Sequence, residues 1–123
     1  MKALSLRPEW AWEVFIGNKD IEYRTWQTKY RGDLLICSSS RKLKGTIPGH
    51  ALIVCTLEDI TYNEKEKIYE WHLSNFRDII PFPVKGKLHL FEVDDSLIKY
   101  FPQNMTQEEI DTNFEKYFEP LIT

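Results

Sequence analysis

The chain has 123 residues and a formal net charge of −3. A chain of that length is expected to form one domain and to bury about two-thirds of the surface its unfolded form exposes, enough for a core without metal or disulfide. The acidic balance excludes broad, charge-driven coating of DNA, which needs a basic face, but it leaves room for a local basic pocket. No apolar run is long enough to span a bilayer, and the opening Met1-Lys2-Ala3-Leu4 lacks the apolar stretch of a signal peptide. The expectation is a cytoplasmic protein that does not engage a membrane.

Lys2 to Leu6 reads as a short strand, and Pro8 then fits the first turn of a helix, where its missing N–H costs nothing. Trp10, Ala11, Val14 and Phe15 fall on one helical stripe. Trp12 cannot share that stripe, so Trp10 is assigned to the core and Trp12 to a half-exposed position. Gly17 suits the left-handed residue just past the helix. Ile21 to Thr25 is the second strand, in which alternation places Glu22 and Arg24 on one face and Ile21, Tyr23 and Thr25 on the other. Lys19 lies just before it and can reach the Glu22/Arg24 side. Two cations and an anion at a strand mouth make a polar site of mixed sign. The plain alternative is a solvated strand face with a surface salt bridge.

Trp26 to Gly32 is a loop that interleaves two aromatics with Lys29 and Arg31, a pattern suited either to stacking on a base beside a phosphate or to packing over the end of the sheet. Leu34 to Cys37 is a buried strand that empties into Ser38-Ser39-Ser40-Arg41-Lys42, where hydroxyls beside two cations can bind phosphate or simply form a solvated turn. Ala51 to Leu57, apolar on both faces, reads as a central strand closed by Glu58-Asp59. Asn63 with Glu66 three residues later resembles a capping box, so a short helix is expected near Glu64. Tyr69 to Phe76 fits neither period; local propensity favours a helix there. His72 reads as a hydrogen-bonded structural histidine.

Pro81 and Pro83 argue for a rigid extended loop and against a central strand, Lys85-Gly86-Lys87 for a tight turn, and Leu88 to Val93 for the last strand. Thr106-Gln107-Glu108-Glu109 opens a helix by capping logic, with Ile110, Phe114, Tyr117, Phe118 and Leu121 as its packing stripe. Cys37 and Cys55 read as reduced core residues. No residue pattern has metal-ligand spacing, and no cofactor motif is present.

The stretch Gly17-Asn18-Lys19-Asp20-Ile21-Glu22-Tyr23-Arg24 has the form Gly-x-Lys-x-x-Glu-x-Arg. It resembles the signature of the ASCH domain, a branch of the PUA-like superfamily. Lys2 to Ala11, Arg24-Thr25-Trp26, Tyr30-Arg31-Gly32, Leu73 to Arg77 and Pro83 to Lys87 resemble further parts of that family, over roughly residues 2–94. The resemblance implies an α+β fold, a PUA-like mixed β-barrel flanked by short helices, with residues 1–123 as one domain and 95–123 as a C-terminal helical extension. It favours a strand through Trp71 to Phe76. It also implies RNA binding or, in one branch, removal of the acetyl group from an N4-acetylated cytidine nucleoside.

Three chemical readings and one plain alternative follow. In the first, Lys19, Glu22, Arg24, Lys29, Arg31, Ser39 and Arg41 bind single-stranded RNA or a modified nucleoside, with Glu22 orienting Arg24 or accepting from an exocyclic amine. In the second, the chain is an amidohydrolase in which Lys19 is base or nucleophile and Glu22 joins it. The amidohydrolase branch has a threonine where this chain has Glu22, and a carboxylate paired with Lys19 would hold it charged and blunt it as a base. That branch also places a helix glutamate in the site, and Glu64, Glu66 and Glu70 lie in the comparable region. Metal-dependent RNA cleavage ranks last, because no compact carboxylate cluster is present. In the plain alternative the chain is a non-catalytic protein-interaction barrel whose exposed aromatics meet a protein partner.

Overall fold

The computed structural model describes all 123 residues. Six strands, β1 (Lys2–Leu6), β2 (Ile21–Arg24), β3 (Gly32–Ser38), β4 (His50–Asn63), β5 (Ile68–Pro83) and β6 (Phe91–Glu92), form one mixed sheet in the order β2-β5-β4-β3-β1-β6. Helix α1 (Pro8–Phe15) follows β1, and α2 (Gln107–Asn113) runs near the C-terminus. β1 and β3 are parallel, as a pair linked through a crossover helix must be; the other pairs are antiparallel. The fold is therefore α+β. The two ends of the sheet, β2 and β6, are not hydrogen-bonded to each other, so the barrel expected from sequence is not closed.

The sheet is buried on both faces, which is why its middle strands read as continuous apolar runs. Leu34 and Ile36 enter one core cluster with Leu4, Leu6, Val14 and Trp71, while Leu35 and Cys37 enter the other with Ala3, Val54 and Ile79. Cys55 belongs to the first cluster and Cys37 to the second, so the two free thiols lie on opposite faces. Burial pushes each thiol up to about 12.

β4 and β5 form a long hairpin. Asn63 Oδ1 does accept from the Glu66 N–H, but the hydrogen bond closes the hairpin turn over 64–67 instead of starting a helix. β4 accordingly continues through Glu58-Asp59, which does not end it. The strand over Trp71 to Phe76 lies within β5. Three register shifts between β4 and β5 break the strict alternation and explain why that segment showed no clean period. Pro81 to Pro83 form the end of β5, not a loop. β2 pairs only with Tyr69 to His72, so at the prolines β5 has a free side and its missing donors break no ladder on that side.

The α1 stripe is shifted from the expected one. Ala11 and Val14 are buried, but Trp10 is 46% exposed, whereas Trp12 packs on the core. The cause is non-local: a π-helical turn (Phe114–Phe118) after α2 lies over α1, with Trp12 and Phe114 rings 6.4 Å apart and Phe15 and Phe118 rings 4.6 Å apart. The capping box at Thr106 and Glu109 forms as expected. Phe118 is buried in the first cluster and Phe114, Tyr117 and Leu121 pack against it, whereas Ile110 of the expected stripe is exposed.

Candidate functional site

A cleft of about 750 Å³ opens where the end of β1, helix α1, the turn into β2, the serines after β3 and the 85–88 loop meet. Gly17, at φ +87°, reverses the chain after α1, a conformation that a side chain disfavours. The reversal delivers Lys19 to the start of β2. Glu22 is only 5% exposed, an unusual position for a carboxylate. Two cations compensate it. Lys19 Nζ lies 3.4 Å from Glu22 Oε1, and Arg24 Nη2 lies 2.9 Å from Glu22 Oε2. Arg24 Nη2 also donates to the Ser5 carbonyl at 2.9 Å, which ties β2 to β1 across the cleft. The Arg24 Nε is buried and has no partner.

Lys19 also faces two aromatic rings, Tyr23 at 4.7 Å and Trp10 at 5.4 Å. Ion pair and ring faces are both contacts of an ammonium. Trp10 and Tyr23 are 46% and 48% exposed and line the cleft. The far wall carries Lys85 and Lys87, with Ser39 and Ser40 beside them and Arg7 at the end of β1. The lining thus holds five basic residues and one carboxylate, in a chain whose net charge is −3.

Of the residues named from sequence, Lys19, Glu22, Arg24 and Ser39 meet here. Lys29, Arg31 and Arg41 do not line the cleft. Arg31 is held by the Thr28 and Tyr30 carbonyls at 2.8 Å and by Asp59 at 3.4 Å. In the same loop, Trp26 packs edge-on against Trp71 and Tyr30 donates to the Asp33 carbonyl, so both aromatics serve the fold. Glu64, Glu66 and Glu70 lie on the β4–β5 hairpin, outside the cleft lining. His72 hydrogen-bonds Thr61 at 2.8 Å, as a structural histidine does. No group of three or more His, Cys, Asp or Glu is arranged to hold a metal.

The family model of the ASCH domain matches residues 4–119. The chain belongs to the ASCH domain family. Its match extends well past the 2–94 span legible in the motifs and includes α2. The ASCH protein of Zymomonas mobilis has a similar crystal structure, with a TM-score of 0.59 at 14% identity, over 77% of this chain and 88% of that one. A tyrosine-to-phenylalanine mutant of the Zymomonas mobilis protein aligns with a TM-score of 0.57 at 16% identity, over 80% of this chain and 98% of that one. These two share the fold with this ASCH domain. No curated protein sequence matches the chain significantly.

The cleft residues of this ASCH domain that the sequence did not point to are Trp10, Tyr23, Arg7, Lys85 and Lys87, whereas Ser40 lay in the hydroxyl-rich stretch it did. The Lys85-Gly86-Lys87 signal was present as a turn, but nothing local says which surface it closes. The structure supplies the reason for its glycine. A Cβ on Gly86 would sit 2.7 Å from Ser5 Cβ and closer still to Ser5 Oγ, so the loop lies directly on β1. Gly86→Ala is expected to push the two lysines off the cleft wall and to cost about 1–3 kcal/mol through overpacking. Ser5→Gly in the same chain should recover part of that loss, as read by denaturant unfolding. Equal stability of wild type and Gly86→Ala would show that the loop does not rest on β1.

Proposed function

We propose that this ASCH domain binds single-stranded RNA or a modified nucleoside in the cleft built on Gly17-x-Lys19-x-x-Glu22-x-Arg24. The observation that carries the reading is Lys19, seated between buried Glu22 and two half-exposed aromatic rings in a cleft with a surplus of cations. Trp10 and Tyr23 offer faces on which a base stacks, an interaction indifferent to base identity. Lys85, Lys87 and Arg7 offer positive charge for phosphate, and the Ser39 and Ser40 hydroxyls add polar partners. A cavity of this size is in the range of small-ligand pockets, about 300–1,000 Å³. ASCH domains generally bind RNA, and the whole 1–123 chain, C-terminal helices included, would act as one cytoplasmic binding unit with no membrane role.

Two other uses of the same site are separated from this one by experiment. As an amidohydrolase on N4-acetylcytidine-type nucleosides, the domain would use Lys19 as base or nucleophile; its pairing with Glu22 and two rings favours a binding role. As a non-catalytic protein-interaction domain, it would present Trp10 and Tyr23 to a protein partner.

The test mixes the protein with N4-acetylcytidine, cytidine and a short single-stranded RNA, following deacetylation by chromatography and binding by thermal shift. Binding without turnover is the expected result. Deacetylation that Lys19→Ala abolishes would make the domain a hydrolase, and silence in both channels would remove the nucleic-acid reading. Lys19→Ala should weaken binding at least about tenfold, a loss of about 1.4 kcal/mol. Its thermal midpoint should barely move, because Glu22 keeps Arg24 at 2.9 Å. A large loss of stability with unchanged binding would make Lys19 a purely structural residue.

A further inference from the structure

A second concavity lies apart from the cleft and shares no lining residue with it. It encloses about 570 Å³ between the Asn75–Asp78 part of β5 and the segment running from Tyr100 to Met105, with Ile110 of α2 beside it. A narrower space of about 180 Å³ shares Asp78, Phe101, Met105 and Ile110 with it and is walled by Phe15, Phe114 and Phe118. The rings form one cluster: Phe114 and Phe118 stack with centroids 6.0 Å apart, and Phe101 lies 6.4 Å from Phe118. Phe76, Tyr100 and Ile110 extend this apolar surface to solvent, and all three are substantially exposed.

Only two charged residues, Arg77 and Asp78, line these spaces. Arg77 is committed elsewhere, with Nη2 2.8 Å from Asp33 Oδ1 and 3.2 Å from the Thr56 hydroxyl. The Asp78 side chain forms no ion pair or hydrogen bond within the chain. Asp78 is exposed at the rim of the groove, and partial loss of water around it pushes its carboxyl above the usual carboxylate range. An uncompensated carboxylate at the mouth of an aromatic cluster attracts positive charge twice over, through its own charge and through the ring faces.

We propose that this groove is a second ligand site, which takes a small organic cation carried on an aromatic or aliphatic body. Asp78 is the counter-ion, and Phe101 and Tyr100 form walls for the body. The site is independent of the nucleic-acid reading, because the two cavities have no residue in common.

The test titrates the full chain with phenethylamine and with 2-phenylethanol, which has a similar body and no charge, and follows backbone amide resonances. The amine should give saturable shifts at Asp78, Phe101 and Ile110 and bind about fivefold or more tightly than the alcohol. Asp78→Asn should erase that preference, and Tyr100→Ala, at an exposed position, should weaken the amine while the spectrum stays folded. Equal binding of amine and alcohol, or shifts confined to the Lys19 cleft, would overturn the proposal. So would binding of a lysine-containing peptide when phenethylamine does not bind.

Discussion

Trp71→Ala is expected to be the most damaging single substitution in this chain. Trp71 is the largest fully buried side chain, and it sits in β5 directly opposite Glu22 of β2. Its indole Nε1 donates to the Trp26 carbonyl at 3.2 Å, and its ring meets the Trp26 ring at 4.9 Å, nearly edge-on. Truncation removes the apolar burial, opens a cavity and leaves a carbonyl without its donor, for a loss of about 3–5 kcal/mol. For a domain of this size that lowers the thermal midpoint by about 10 °C or more. Trp71→Phe keeps most of the apolar area and loses only the hydrogen bond, so its loss should be much smaller. A midpoint for Trp71→Ala within a degree or two of wild type would mean that β2 and the Trp26 loop are not supported from beneath as described.

Glu22→Gln is also expected to be strongly damaging, for an electrostatic reason. The replacement keeps the shape and removes the charge. Lys19 and Arg24 then remain partly buried around a neutral amide, with Nζ and Nη2 placed for a carboxylate at 3.4 and 2.9 Å. Breaking a fully buried pair costs about 3–5 kcal/mol; both cations retain some access to water, so about 2–3 kcal/mol is expected. The asymmetry with Lys19→Ala is the informative part. Removing Lys19 leaves one cation per carboxylate, whereas removing Glu22 leaves two cations with none. In urea unfolding, adding Lys19→Ala to Glu22→Gln should therefore recover stability, giving a non-additive cycle. Strictly additive losses would show that the three side chains do not act as one ion network.

The parts of this fold that could be read from sequence are those set by near neighbours. Pro8 at the start of α1, Gly17 after it and the Thr106/Glu109 capping box depend only on residues a turn away, and all three stand in the structure as read. The run Leu34–Cys37 was legible because a strand buried on both faces has no polar alternation to lose. Asn63 and Glu66 show the limit of such reasoning. One side-chain-to-backbone hydrogen bond serves a helix start or a hairpin turn equally well, and only the pairing of β4 with β5 decides between them. Trp10 and Trp12 were exchanged because the deciding partner, Phe114, is about a hundred residues away.

The candidate site divides in the same way. Lys19, Glu22 and Arg24 lie within six residues, and strand alternation brings Glu22 and Arg24 together. Lys85 and Lys87 join them only because Gly86 lies against Ser5, a contact that no local pattern records. Conversely, Lys29 and Arg31 had the composition of a nucleic-acid loop and lie outside the cleft lining. Arg31 is spent on Asp59 and nearby carbonyls.

The most direct test of a nucleic-acid site in this cleft is one titration of isotope-labelled protein with a short single-stranded RNA, mapped by amide chemical shifts. Saturable shifts confined to Trp10, Lys19, Tyr23, Arg24, Ser39, Ser40 and Gly86 are expected. Shifts centred on the Lys29–Arg31 loop or on the Asp78 groove, with the cleft unmoved, would contradict a site there.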